Sequence, residues 1–334
     1  MATNQVTISA PSRLHFGLFS VGNLVERKFG GIGLMIDQPR TIISVTENDG
    51  LLVTGEQADV CRQAVSIWFN SLAAELKREL SIETVDQIPV SIEIKSAPPR
   101  HCGFGTGTQM ALSSAAAVGK FLGLPAQSPE DFASTLNRGK RSAIGTYGFC
   151  RGGFLVDRGK LDSEILAPLD FQTEFPEPWT IVLVRLNGPK QSSVGVSGQQ
   201  EIDAFKNLPP TTQRQRDEMI ELVKNRLIPG VTQRDYNLFS ESVFEFGARS
   251  GMMFDSIQGG AYQNDAVADL VAQCRGFGVK AVGQSSWGPC VFAIAEDKKT
   301  ASGLLEHLNE QHGDNVAVEI TKADNSGATF VETV

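Results

Sequence analysis

The sequence predicts an α+β protein of two units, and three observations carry that prediction. The second half mixes strand-like and helix-like stretches in an order that suits an antiparallel sheet. The chain has 334 residues, 41% hydrophobic and 20% charged, enough to bury a core and fill two domains or one large one. Pro176 and Pro178 bracket a boundary between two sets of elements, which divides the chain into units 1–176 and 177–334.

In order along the chain, Val6 to Ala10 alternates and is β-rich, and Pro11 ends it. Leu14 to Val21 reads as a second strand. A glycine turn, Gly30-Gly31-Ile32-Gly33, is followed by Leu34 to Asp37 and by an alternating strand at Thr41 to Thr46. Val60, Ala64, Ile67, Trp68, Leu72, Leu76 and Leu80 recur at helical spacing, so Val60 to Leu80 is predicted as one amphipathic helix. Val90 to Ile94 is a strand that runs into a glycine loop and a helix from Met110 to Val118. Pro129 to Gly139 fits a helix and Gly152 to Val156 a strand, with a glycine-punctuated loop between them.

Trp179 to Leu186 opens the second half as a strand, and Gly188 to Ser197 is polar and loop-like. Helices follow at Gln213 to Arg226, Tyr236 to Arg249 and Asp265 to Arg275. Val279 to Val282 and Cys290 to Ala295 read as strands around a second turn. Lys298 to Gln311 is a last helix and Val316 to Thr321 a last strand.

Composition excludes several function classes. Net charge is −8 with no basic tail, which argues against nucleic acid or an anionic membrane as main partner. An anionic small molecule stays open, because many cations of the first half sit beside glycines. Five cysteines without CxxC spacing point to free thiols in a reducing, cytoplasmic setting. Four histidines without ligand spacing argue against zinc. No secretory pattern is evident in MATNQVTISAP, and no apolar run approaches a membrane span.

The most informative stretch is Pro99-Arg100-His101-Cys102-Gly103-Phe104-Gly105-Thr106-Gly107-Thr108-Gln109, between a strand and a helix. Glycine lets a loop turn tightly and lets a ligand approach the backbone. The unpaired amides of a following helix start favour phosphate. Thr106 and Thr108 could add hydroxyls or reach a phosphate-bound Mg²⁺.

Four more segments carry polar groups, three of them on glycine-rich turns. Ser12-Arg13-Leu14-His15 interrupts an apolar strand, and Glu26 to Gly33 places Arg27, a candidate bidentate phosphate clamp, against a turn. Arg138 to Gly148 is basic, and Gly283-Gln284-Ser285-Ser286-Trp287-Gly288-Pro289 gathers small polar residues around a tryptophan. Each alone is an ordinary solvated turn. Four in one chain suggest a composite site.

In order, these blocks resemble the GHMP kinase superfamily, whose first motif is similar to Ala10 to Gly17, second to Pro99 to Gln109 and third to Val282 to Pro289. Two departures are informative. Gly107 stands where a metal-facing hydroxyl is usual, and Ser142-Ala143-Ile144-Gly145 ends in glycine where many of these kinases carry a catalytic aspartate. A glycine cannot take a proton from a substrate hydroxyl.

Five linked blocks, Ser12 to Leu18, Phe29 to Gly33, His101 to Gln109, Arg141 to Thr146 and Gly283 to Pro289, resemble more narrowly the β-ribofuranosylaminobenzene 5′-phosphate synthase family. That resemblance implies condensation of phosphoribosyl pyrophosphate with 4-hydroxybenzoate or 4-aminobenzoate, with release of CO₂ and pyrophosphate. The product opens the route to tetrahydromethanopterin. It also implies a GHMP-type fold, Mg²⁺ on the pyrophosphate with Thr106 nearby, and a homodimer.

On that reading Arg27, His15 and His101 are catalytic candidates. Ser12, Arg13, Gly103, Gly105, Thr106, Gly107, Thr108, Gln109, Arg141, Ser142, Gln284, Ser285, Ser286 and Trp287 are candidates for substrate binding. The competing readings are an ATP-dependent small-molecule kinase and a non-catalytic phosphate-ligand sensor.

Overall fold

The computed structural model describes residues 4–187 and 205–333. The first sheet holds β1 (Gln5–Leu18), β2 (Gly31–Glu47), β3 (Leu52–Gly55), β4 (Val90–Ser96), β5 (Phe154–Asp157), β6 (Leu169–Thr173) and β11 (Thr329–Thr333). Its main order is β11-β1-β2-β4-β3, with β5 on the early part of β2 and β6 on β5. Every pair is antiparallel except β3 with β4. The second sheet is antiparallel throughout, in the order β10-β7-β9-β8, from β7 (Thr180–Leu186), β8 (Ala281–Gln284), β9 (Val291–Ala295) and β10 (Val316–Thr321).

The helices Ala58–Ser71 and Thr106–Phe121 cover the first sheet. Trp68, Val65, Met110, Leu112 and Ala115 meet the strand residues Ile8, Val45 and Ile92 in one buried cluster. The helix predicted from Val60 to Leu80 breaks at Leu72, whose backbone is extended, and resumes at Ala74–Glu79. At the break the Ser71 hydroxyl donates to the Trp68 carbonyl, the local competition by which serine ends helices.

The glycine-punctuated segment after Arg138 is not all loop. Ile144–Arg151 is a helix with Ile144, Tyr147 and Phe149 buried. Gly148 is a packing site, since a Cβ there would collide with the Met35 side chain.

The two sheets share a core. Phe16 of β1 lies 4.8 Å from Phe292 of β9, ring to ring. Phe154, Phe175, Trp179, Phe239 and Phe246 join the same cluster, the last two from the helix Tyr236–Met252.

The chain end returns to the first sheet. Asp37 N donates to Lys322 O and Asp324 N to Met35 O, both at 2.8 Å, and β11 then pairs with β1. The last dozen or so of residues 177–334 therefore belong to the first sheet, because β1 has an edge that needs a partner. The polar stretch from Gly188 to Ser197 lies outside the described residues.

Candidate active site

A cleft of about 670 Å³ opens where the loop after β4, the end of β1, the loop before Ile144 and the turn after β8 converge. Gly103 and Gly105 have left-handed backbone angles, φ 88° and 69°. A Cβ on Gly103 would lie 2.5 Å from the Ser285 carbonyl oxygen, so only glycine fits. Gly105 precedes the helix Thr106–Phe121 and supplies no capping side chain. The first amides of that helix, at Thr106 and Gly107, therefore face the cleft with the positive end of the helix dipole. A Cβ on Gly107 would touch nothing within 4 Å, which leaves room for a ligand above the helix start.

Three of the sequence blocks are tied together here. His15 N donates to Ser285 Oγ at 3.0 Å, and Ser285 Oγ donates to Gly103 O at 2.7 Å. Ser286 N donates to His15 O at 3.0 Å. Arg13 N donates to Phe104 O at 2.9 Å, and the Arg13 side chain lies against Gly105.

The cleft is cationic. Arg13, Arg100, Arg138, Lys140 and Arg141 line it, and among the described residues no Asp or Glu does. This local field contrasts with the net charge of −8 and would draw anions in. One end is aromatic. Phe205 and Trp287 stack at 5.3 Å and 6°, Phe254 stands edge-on to both, and the Arg141 guanidinium lies 4.3 Å from the centre of the Phe205 ring.

His15 is buried, and burial, then the nearby Arg13 charge, holds its pKa well below the usual histidine value. It is neutral at pH 7, and its Nε2 has no partner among the described residues. His101 is also shifted down, by burial and by Arg100. The indole Nε1 of Trp287 is likewise buried without a partner.

The structure brings together Arg13, His15, His101, Gly103, Gly105, Thr106, Gly107, Thr108, Arg141, Ser142, Gln284, Ser286 and Trp287 as cleft lining. Four candidates do not line it. Ser12 Oγ donates to Pro39 O at 2.6 Å, Gln109 Nε2 to Gly145 O at 2.9 Å, and Ser285 acts as the tie described above. Arg27 does not line the cleft. It grips Glu164 through both terminal nitrogens at 2.9 Å and donates to Gly159 O at 3.0 Å.

Sequence reasoning left Arg100, Arg138, Lys140, Phe205, Phe254 and Tyr262 out of the site. Arg138 and Lys140 adjoin Arg141 and were legible as part of its basic loop. The aromatics come from unrelated segments and carry no local signal.

The donor set does not make a resident Mg²⁺ site. The Thr106 hydroxyl donates to Pro99 O at 3.0 Å, no carboxylate lines the cleft, and no cluster of three His, Cys, Asp or Glu occurs among the described residues.

Two family models, which together match just over half of the chain, show that it belongs to the GHMP kinases. The model for the GHMP kinases N terminal domain matches residues 69–153, and that for the GHMP kinases C terminal matches residues 227–314. Homoserine kinase from Cytophaga hutchinsonii has a similar structure, with TM-score 0.65 and 17% identity over 99% of this chain and 98% of that one. Mevalonate diphosphate decarboxylase from Staphylococcus aureus superposes with TM-score 0.64 and 16% identity over 98% of each chain.

Among curated proteins the chain is similar to two named β-ribofuranosylphenol 5′-phosphate synthase. That of Methanothermobacter thermautotrophicus is 26% identical over 98% of this chain and 99% of its own. That of Methanocaldococcus jannaschii is 27% identical over 96% and 98%. No helix among the described residues is long and apolar enough to cross a membrane.

Proposed function

We propose that the protein is a phosphoribosyltransferase that condenses phosphoribosyl pyrophosphate with 4-hydroxybenzoate, releasing CO₂ and pyrophosphate. The product is a β-ribofuranosylphenol 5′-phosphate, suited to the first committed step of tetrahydromethanopterin synthesis. One observation carries the reading. A cleft with five cations and, among the described residues, no carboxylate joins a bare helix start to an aromatic corner. Polyanion and arene are the two things such a cleft can seat together.

The bond from ribose C1 to pyrophosphate breaks, and its electron pair leaves with pyrophosphate. The amides of Thr106 and Gly107, with Arg13 and Arg138, stabilise that developing charge. The ring carbon bearing the carboxylate attacks C1. The bond to the carboxylate then breaks, its electron pair restores the aromatic ring, and CO₂ departs. Arg141 and the Phe205–Trp287–Phe254 corner hold the arene. Neutral His15 accepts a hydrogen bond from the ring hydroxyl, and His101 serves the pyrophosphate. Mg²⁺ enters as part of the pyrophosphate substrate rather than as a protein-held ion.

The hydroxyl acid is favoured over 4-aminobenzoate. Attack by an amino-substituted ring builds positive charge on nitrogen, and no lining carboxylate among the described residues offsets it. The relatives are named for a ribofuranosylphenol product, which supports the same preference. A kinase is less well supported, since no carboxylate among the described residues lines the cleft as a base. Gly145 lies against Thr108 and Gln109, where a longer acidic side chain would face the helix start.

The test is incubation with phosphoribosyl pyrophosphate, Mg²⁺ and carboxyl-labelled acid. Release of CO₂ that needs the pyrophosphate donor, faster with the hydroxyl acid, is expected. No release from either acid by folded protein would overturn the reading and turn attention to ATP-dependent phosphorylation.

A further inference from the structure

Asp157 ends β5 and is fully buried. Its carboxylate accepts from Ser142 Oγ and Ala143 N, both at 2.9 Å, and from Gly159 N at 3.0 Å. The Gly31 amide is a further donor. Gly31 lies directly under His15, and a Cβ there would come 2.9 Å from His15 Nε2. One carboxylate therefore anchors the loop carrying Lys140, Arg141 and Ser142, the turn at Gly159, and the strand start beneath His15.

We propose that Asp157 is a positioning residue of the cleft, setting Arg141 and His15 relative to the helix start at Thr106. The inference rests on the reading of this cleft as the substrate site. Asp157 touches no substrate itself and acts through the peptide groups it holds.

Burial pushes its pKa up to about 6, although all four hydrogen bonds favour the ionised form. The charged side chains of the neighbouring elements are engaged elsewhere. Arg27 pairs with Glu164, Lys28 with Asp162 and Arg158 with Asp170, while Arg141 lies over Phe205. Lys140 lines the cleft. Protonation turns a four-fold acceptor into a group with its own O–H among donors, and the loop loses its anchor.

The experiment measures inorganic pyrophosphate binding by calorimetry between pH 5 and 8, with kcat and KM for phosphoribosyl pyrophosphate, in wild type and Asp157→Asn. The variant keeps the shape but points an amide NH₂ at N–H and O–H donors. It should bind pyrophosphate about tenfold more weakly at pH 7.5 and raise KM more than it lowers kcat. Wild-type affinity should show a step near pH 6 that the variant lacks. The difference between the two profiles cancels protonation of pyrophosphate and of the histidines.

Ser142→Ala removes one bond to the carboxylate, should weaken binding several-fold, and carries the test if Asp157→Asn does not fold. Unchanged affinity and pH profile in a folded variant would overturn the proposal. Absence of turnover by wild type would sink the synthase reading and leave the pyrophosphate arm to decide the role of Asp157.

Discussion

The Ser285 hydroxyl donates a 2.7 Å hydrogen bond to the Gly103 carbonyl, joining residues 182 positions apart. It also accepts from the His15 amide. Ser285 is fully buried, so Ser285→Ala leaves a carbonyl and an amide without their partner. We expect a loss of about 1–3 kcal/mol in urea unfolding, together with weaker pyrophosphate binding. Full stability and full affinity in that variant would show that the tie contributes neither.

Gly107 separates stability from binding. Its Cβ position is open and its backbone is helical, so Gly107→Ala should raise stability by roughly 0.5–1 kcal/mol. The same methyl occupies the space above the helix start and should cut pyrophosphate affinity. Thermal unfolding and calorimetry on one preparation check both signs. Unchanged affinity would move the anion away from this amide.

Arg27 and Glu164 should behave as one structural pair. Each is about one-quarter exposed, so Arg27→Ala and Glu164→Ala should each cost stability of the order of 1 kcal/mol. The double variant should cost little more than either single one. Activity should fall equally in both singles. A large activity loss confined to Arg27→Ala would restore it as a residue that meets substrate.

His15 predicts a pH dependence of stability. Its folded pKa is lowered, so below the usual histidine value of 6.5 the unfolded chain takes up the proton first. Stability therefore falls as pH drops below that value, and this contribution is fully present above it. Urea midpoints at pH 5 and 7.5 should differ less in His15→Gln than in wild type. An equal difference would assign the slope to other groups.

Phe205→Ala should raise KM for 4-hydroxybenzoate several-fold with little effect on pyrophosphate binding. The ring stacks on Trp287 and carries Arg141, at the aromatic end of the cleft. Steady-state kinetics with each substrate varied in turn distinguish this from general damage, which would raise both.

Most strands and helices, the antiparallel second sheet and the phosphate-type loop were legible in the chain, because period and glycine spacing are local properties. Gly103, Gly105 and Thr106 could be read that way, whereas the glycine at position 145 became informative only through the resemblance to GHMP kinases. The helix Ile144–Arg151 was hidden, because its glycines look like turn residues until Met35 is seen packed against one of them. β11 was hidden for a similar reason, since its five residues are all exposed and its only reason to be a strand is the edge of β1.

The sequence by itself marked which segments carry candidate anion-binding groups and, through the resemblance to GHMP kinases, the glycine at position 145 in place of the usual aspartate. Tertiary structure decided which of the candidate groups meet. It set Arg27 against Glu164 and away from the cleft, and brought Phe205 and Phe254 beside Trp287. It also buried Asp157 under four donors from three segments. Helix starts and turns follow from neighbouring residues, whereas an ion pair, a stacked ring or a buried carboxylate needs a partner that only chain closure supplies.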